Sequence, residues 1–233
     1  MATKHQANPP TILFEDNHLL AINKPAGWLV QGDRTGDETL TDWGKAYLKE
    51  KYAKPGAVFL HPVHRIDRPV SGAVLFARTD KALSRLTTSF RDRDVEKTYL
   101  AIVLRAPKVK TDVLRHFLIK DEQRNLVQAF LAPSGQAKEA LLKYSLKAPA
   151  GVNFLLEIHP LTGRPHQIRV QLANIGCPIL GDLKYGAPEP LADASIALHS
   201  LRIELMHPVR KEPLAITAPL PETTWWKQIR VEY

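Results

Sequence analysis

An aspartate set between two arginines and followed by turn-forming residues is the part of this chain best equipped for chemistry: His61-Pro62-Val63-His64-Arg65-Ile66-Asp67-Arg68-Pro69-Val70-Ser71-Gly72. A reactive carboxylate has to be aimed, and the β-type run Ala73-Val74-Leu75-Phe76-Ala77 directly downstream predicts a buried strand to hold such a loop. Arg65 and Arg68 would stabilise the negative charge on Asp67 if their side chains approach it. Taken alone, the same residues also describe a surface Asp in a salt-bridged loop. His61, His64 and Asp67 have a spacing that imitates a two-His, one-carboxylate metal site, but the adjacent arginines would repel a divalent cation, so no metal is expected. A glycoside hydrolase normally needs a second, opposed carboxylate, and the sequence nominates none.

The chain of 233 residues is 44% hydrophobic and 24% charged, enough apolar material for a globular core. One domain is the default for this length, and two small ones are compatible with it. Lysine and arginine number 32 against 24 acidic residues, giving a formal charge of +8. With a pI near 9.6, that surplus favours a polyanionic partner. A single cysteine, Cys177, excludes an internal disulfide framework and fits a reducing compartment. The N-terminus lacks the apolar core of a signal peptide, and no later apolar run is long enough to span a bilayer. A soluble cytoplasmic protein, with no membrane association, is the expectation.

The elements that must position Asp67 follow from pattern. Residues 1–10 read as a disordered lead-in and 11–233 as one folded unit. Ile12–Glu15 and Leu19–Ile22 form a predicted hairpin, running into the Lys24-Pro25-Ala26-Gly27 turn, where Lys24 offers a cation at a strand end. Thr39 or Thr41 is positioned to cap a helix over Trp43–Lys51, and Asp80 a second one through Phe90, with Leu83, Leu86 and Phe90 as its core stripe. Lys97–Leu104 is strongly β-type, further strands fill Val113–Leu146, and Val152–Ile158 is another. Pro165 suits the first position of a helix that stops at Gly176. Ile196–Met206 and Leu214–Ala218 complete the strands, and Glu222–Ile229 is a last short helix. Strands dominate without a βαβ rhythm, which predicts an α+β protein with a mixed, mainly antiparallel sheet.

Within Gly163-Arg164-Pro165-His166-Gln167-Ile168-Arg169-Val170-Gln171-Leu172, Ile168 and Leu172 lie one helical turn apart and are expected to bury together, with Arg169 on another side. Set beside His-Arg-Ile-Asp-Arg-Pro-Val-Ser-Gly at 64–72 and Lys-Thr-Tyr-Leu-Ala at 97–101, this stretch closely resembles the RluA-type pseudouridine synthases, enzymes that isomerise uridine in RNA. The Lys24–Gly27 turn and the Leu198-His199-Ser200…His207-Pro208 segment resemble that family too. The resemblance implies the pseudouridine synthase fold with a central catalytic cleft and no cofactor. It places Asp67 on the catalytic aspartate, Tyr99 on the tyrosine that packs against the target base, and Arg169 on the basic residue that ion-pairs with the aspartate. Arg65 matches an arginine that, in some members, enters the RNA stack in place of the flipped uridine. Lys24, Arg68, Arg164 and His166 complete the residues expected to contact RNA. Val70, Pro165 and Gln171 depart from the commoner Thr, Thr and His of the family. No S4-like RNA-binding domain is expected before Thr11, and a monomer without an obligate protein partner is anticipated.

These residue types suit the reaction on physical grounds. Moving uracil's attachment from nitrogen to carbon requires the glycosidic bond to break while the free base is retained, turned and rejoined away from water. One carboxylate suffices, attacking the sugar or base, or acting as general base at the sugar. A tyrosine face holds a planar base, and a uridine within a stem must first be extruded at a cost of a few kcal/mol. The expected substrate is structured RNA, transfer RNA first and ribosomal RNA second. The competing reading is a non-catalytic basic RNA-binding module, which explains the charge but not Asp67, Tyr99 and Arg169 in these settings.

Overall fold

All seven residues of Ser71–Ala77 are buried, which is why that stretch reads as an unbroken apolar run instead of alternating. In the computed structural model, which describes residues 9–33 and 35–229, this strand is central to the first of two compact units. Most of the expected lead-in, residues 1–8, lies outside the described residues, whereas Pro10 is already buried.

The chain begins with β1 (Thr11–Glu15), β2 (Leu19–Lys24), α1 (Leu40–Lys51), β3 (His61–Pro62), β4 (Ser71–Ala77) and α2 (Asp80–Asp92). It continues through β5 (Glu96–Val103), β6 (Thr111–Asp121), β7 (Leu126–Phe130), β8 (Lys138–Ala150) and β9 (Asn153–Pro160). Then come α3 (Gln167–Asn174), β10 (Leu198–Met206), β11 (Pro213–Thr217) and α4 (Thr224–Lys227). The first unit runs to Lys97 and takes in Ser200–Leu220; the second comprises Thr98–His199 and the segment from Pro221.

In the first unit the strand order is β1-β2-β4-β10-β11, with the short β3 pairing the far end of β4. β1 and β2 form the predicted hairpin, and β2 lies antiparallel to β4 with Lys24 opposite Gly72. Leu75, Ala82, Leu86, Ile203 and Ile216 share one buried cluster, against which Leu83 and Phe90 pack. Helix α1 starts from Thr39, whose side chain and that of Asp42 cap each other's backbone in a capping box. The cap of α2 is Thr79, not the predicted Asp80: the Thr79 hydroxyl accepts from Ala82 N at 3.2 Å, and Asp80 instead occupies the first turn.

The second unit orders its strands β5-β9-β8-β6-β7, each pair antiparallel. Polar segments separate β6 from β7 and β7 from β8. Val170 of α3 and Tyr185 pack against Leu118, Val127 and Ala140 of the sheet. The terminal helix is only Thr224–Lys227, shorter than the 222–229 read from pattern. Both units are built from mainly antiparallel sheet with a few helices, an α+β arrangement.

Candidate active site

Asp67 sits in the connection between β3 and β4, two strands that pair His61 with Ala77 and Pro62 with Phe76. A wide hairpin therefore carries it, and several contacts fix the loop. Val63 N donates to Leu75 O at 3.2 Å, and Val70 N to Asp67 O at 3.0 Å, closing a turn around Arg68-Pro69. Ile66 and Val70 are buried on either side of the partly buried Asp67, so the carboxylate is held by the burial of its neighbours. Gly72 ends the loop with φ +115°, and a Cβ there would come within 2.3 Å of Ser200 O. No other residue fits that close approach of two strands.

His64 is part of this scaffold. Its Nε2 accepts a hydrogen bond from Leu75 N at 3.0 Å, and its ring stacks on Phe90 with centroids 5.2 Å apart. Desolvation, helped by the nearby charge of Lys97, pushes its pKa down to about 3, so the imidazole is neutral. The Nε2 lone pair is thus committed to the backbone, and His61, exposed, packs against Phe59. The His61/His64/Asp67 metal reading therefore loses one of its ligands to a structural hydrogen bond.

Lys24 corrects the sequence reading. It is fully buried, and its Nζ donates to the carbonyl oxygens of Pro25, Trp28 and Arg68 at 3.0, 2.9 and 3.1 Å. Such an ammonium is not presented to a phosphate; it ties the Pro25–Trp28 turn to the aspartate loop. Gly27 N also donates to Arg68 O at 2.8 Å, and Arg68 Nε returns the bond to Gly27 O at 3.0 Å. Burial pushes the Lys24 pKa down to about 7, opposed by the charge of Asp67 and assisted by that of Arg68. Arg65 and Arg68 are both exposed.

In the second unit, Tyr99 is buried on β5, opposite Ile158. Arg169 on α3 is also buried, contrary to the amphipathic pattern expected: Gln167 through Leu172 are buried on every side of the helix. Its guanidinium makes a bidentate pair with Asp182, Nε to Oδ2 at 2.7 Å and Nη2 to Oδ1 at 2.8 Å, and lies 5.1 Å from the Tyr185 ring centroid. A fork held in this way is fixed in orientation before any substrate arrives. Tyr185 is the hub of the cluster. Its hydroxyl accepts from Val127 N at 2.9 Å and lies within hydrogen-bond distance of His166 Nδ1, at 2.7 Å.

Pro165 does not open α3. The helix begins at Gln167, because His166 takes a left-handed conformation with φ +50°. Gln167 Oε1 accepts from Thr162 Oγ1 at 2.7 Å and from Arg164 N at 2.9 Å, tying the start of the helix to the turn before it. Arg164 itself donates from Nε to Glu139 O at 3.0 Å. Sequence reading missed Asp182 and Tyr185, which stand in Gly181-Asp182-Leu183-Lys184-Tyr185-Gly186, a short 3-10 turn without periodicity. An acidic residue and a tyrosine between two glycines were the only signal available.

A solved structure of human RNA pseudouridylate synthase domain containing 4 superposes with a TM-score of 0.76 at 26% identity, covering 91% of this chain and 88% of that one. Residues 18–174 match the family model of RNA pseudouridylate synthase, and the chain belongs to that family, the RluA-type family of the sequence resemblance. Ribosomal large subunit pseudouridine synthase C of Vibrio vulnificus (strain CMCP6) is 36% identical over 219 residues, 91% of this chain and 66% of that protein. tRNA pseudouridine synthase C of Salmonella typhi is 32% identical over 240 residues, 95% of this chain and 89% of that protein.

Proposed function

We propose that this protein converts a specific uridine in structured RNA to pseudouridine, with Asp67 as its catalytic carboxylate. The observation that carries this reading is an aspartate fixed at the tip of a hairpin whose β4 strand is wholly buried, in a chain of the pseudouridylate synthase family. In the reaction the bond from the sugar C1′ to uracil N1 breaks and one to C5 forms; C5 loses a proton and N1 gains one. Asp67 either attacks the sugar or base, or takes a proton at the sugar, and both routes need the ionised carboxylate. Tyr99 holds the base by its ring face, and Arg169, oriented in advance by Asp182, serves the aspartate as its cationic partner. Arg65 fills the stack vacated by the extruded uridine, and Arg68, Arg164 and His166 contribute RNA contacts.

Transfer RNA is the first substrate to try, since the chain spans 89% of the transfer RNA enzyme of Salmonella typhi but 66% of the ribosomal one of Vibrio vulnificus. The test is to map pseudouridines in RNA from cells with and without this protein, and in transfer and ribosomal RNA incubated with the purified chain. One or a few sites should depend on the protein in both settings. Loss of no site in cells, with none formed in vitro, contradicts the assignment.

A further inference from the structure

Beside the aspartate, Arg68 is half exposed and already engaged. Its Nε donates to Gly27 O, and its Nη1 lies 2.8 Å from Asp37 Oδ2, the two side chains being 47% and 49% exposed. Asp37 belongs to a loop closed at its base and open at its tip. At the base, Leu40 N donates to Leu29 O at 2.7 Å, and Thr41 donates from both N and Oγ1 to Val30 O. Towards the tip, residues 35–38 are exposed, and Gly32 and Gly36 have nothing within 4 Å of a would-be Cβ. Among the described residues, the Asp37 backbone N–H reaches Thr35 Oγ1, at 3.4 Å, and the Asp37 carboxylate pairs with Arg68.

A carboxylate and a phosphate are held by a guanidinium in the same planar, charge-assisted way. We propose that Asp37 holds down RNA affinity: it occupies the face of Arg68 that an RNA phosphate would take, so an RNA engages the loop only by displacing it. This rests on the reading that the substrate is RNA. The ion pair is exposed and therefore weak, which suits an element meant to be exchanged.

The experiment is a double-mutant cycle on Asp37→Asn and Arg68→Ala, reading affinity for a structured RNA by filter binding at several salt concentrations, with KM and kcat alongside. Asp37→Asn should bind RNA about two- to fivefold more tightly, the range an exposed ion pair is worth, and lower KM with kcat unchanged. Its log affinity should fall more steeply with log salt, by up to about 0.9 in slope, because one more cation is available to phosphate. In the Arg68→Ala background the same substitution should change nothing. Unchanged or weaker binding by Asp37→Asn overturns the proposal, as does a gain that survives loss of Arg68, which would mark a general charge effect. Because affinity is read without turnover, a chain that binds RNA but forms no pseudouridine would sink the isomerase reading and leave the exchange to stand or fall by the cycle.

Discussion

An ammonium without solvent exposure, donating to three carbonyl oxygens, makes the stability of the aspartate loop depend on one proton. Lys24 has a folded pKa of about 7 against an ordinary value of 10.5. Between those values the unfolded chain binds more protons than the folded one, so this group adds stability as pH rises and withdraws it as pH falls towards 7. From pH 6.5 to pH 9 the contribution is about 2 kcal/mol. Lys24→Met abolishes that term, so the gap in urea-unfolding free energy between wild type and variant should be wider at pH 9 than at pH 6.5. A gap that does not change with pH would contradict the burial of a titrating amine. Sequence reading put a cation at this position but pointed it at RNA, because residue type and a neighbouring Pro-Gly turn carry no record of burial. The Arg169–Asp182 pair is hidden from sequence for the same reason: a helix period shows one apolar face, and a buried ion pair leaves no mark on it.

Among the elements, the hairpin that carries Asp67 depends on close approach at a single glycine. An added Cβ at Gly72, with φ +115°, would meet the Ser200 backbone oxygen at 2.3 Å, and neither strand can yield. Gly27 also has positive φ, +90°, but nothing lies within 4 Å of its Cβ position. Gly27→Ala should therefore lose only conformational strain, about 1 kcal/mol and a few degrees in Tm. Gly72→Ala should lose about 3 kcal/mol or more, with a correspondingly larger fall in Tm. Equal losses in the two variants would mean that strand proximity is not what limits the position. Element types were legible in the sequence because β4 is continuously apolar and α2 carries a clean stripe. The start of α3 was not, since a left-handed His166 and a Gln167 side chain bound to the preceding turn are choices of tertiary context. Nor could the pairing of Ser200–Met206 with a unit that begins some two hundred residues earlier be read locally, because long-range register leaves no short-range mark.

For the molecule as a whole, a formal charge of +8 suits the polyanionic partner proposed for it. No helix among the described residues is long and apolar enough to cross a membrane. The sequence resemblance carried the family and its order of motifs, and membership is established over residues 18–174. Asp67→Asn keeps the shape of the side chain and removes its negative charge, which makes it the variant that reads catalysis apart from binding. The decisive measurement is pseudouridine formation by this variant on an RNA that the wild type modifies, with RNA affinity and thermal unfolding taken on the same preparations. Product should fall to background while affinity and unfolding temperature stay close to wild type; pseudouridine formed at near wild-type rate would contradict the assignment of Asp67 as the catalytic carboxylate.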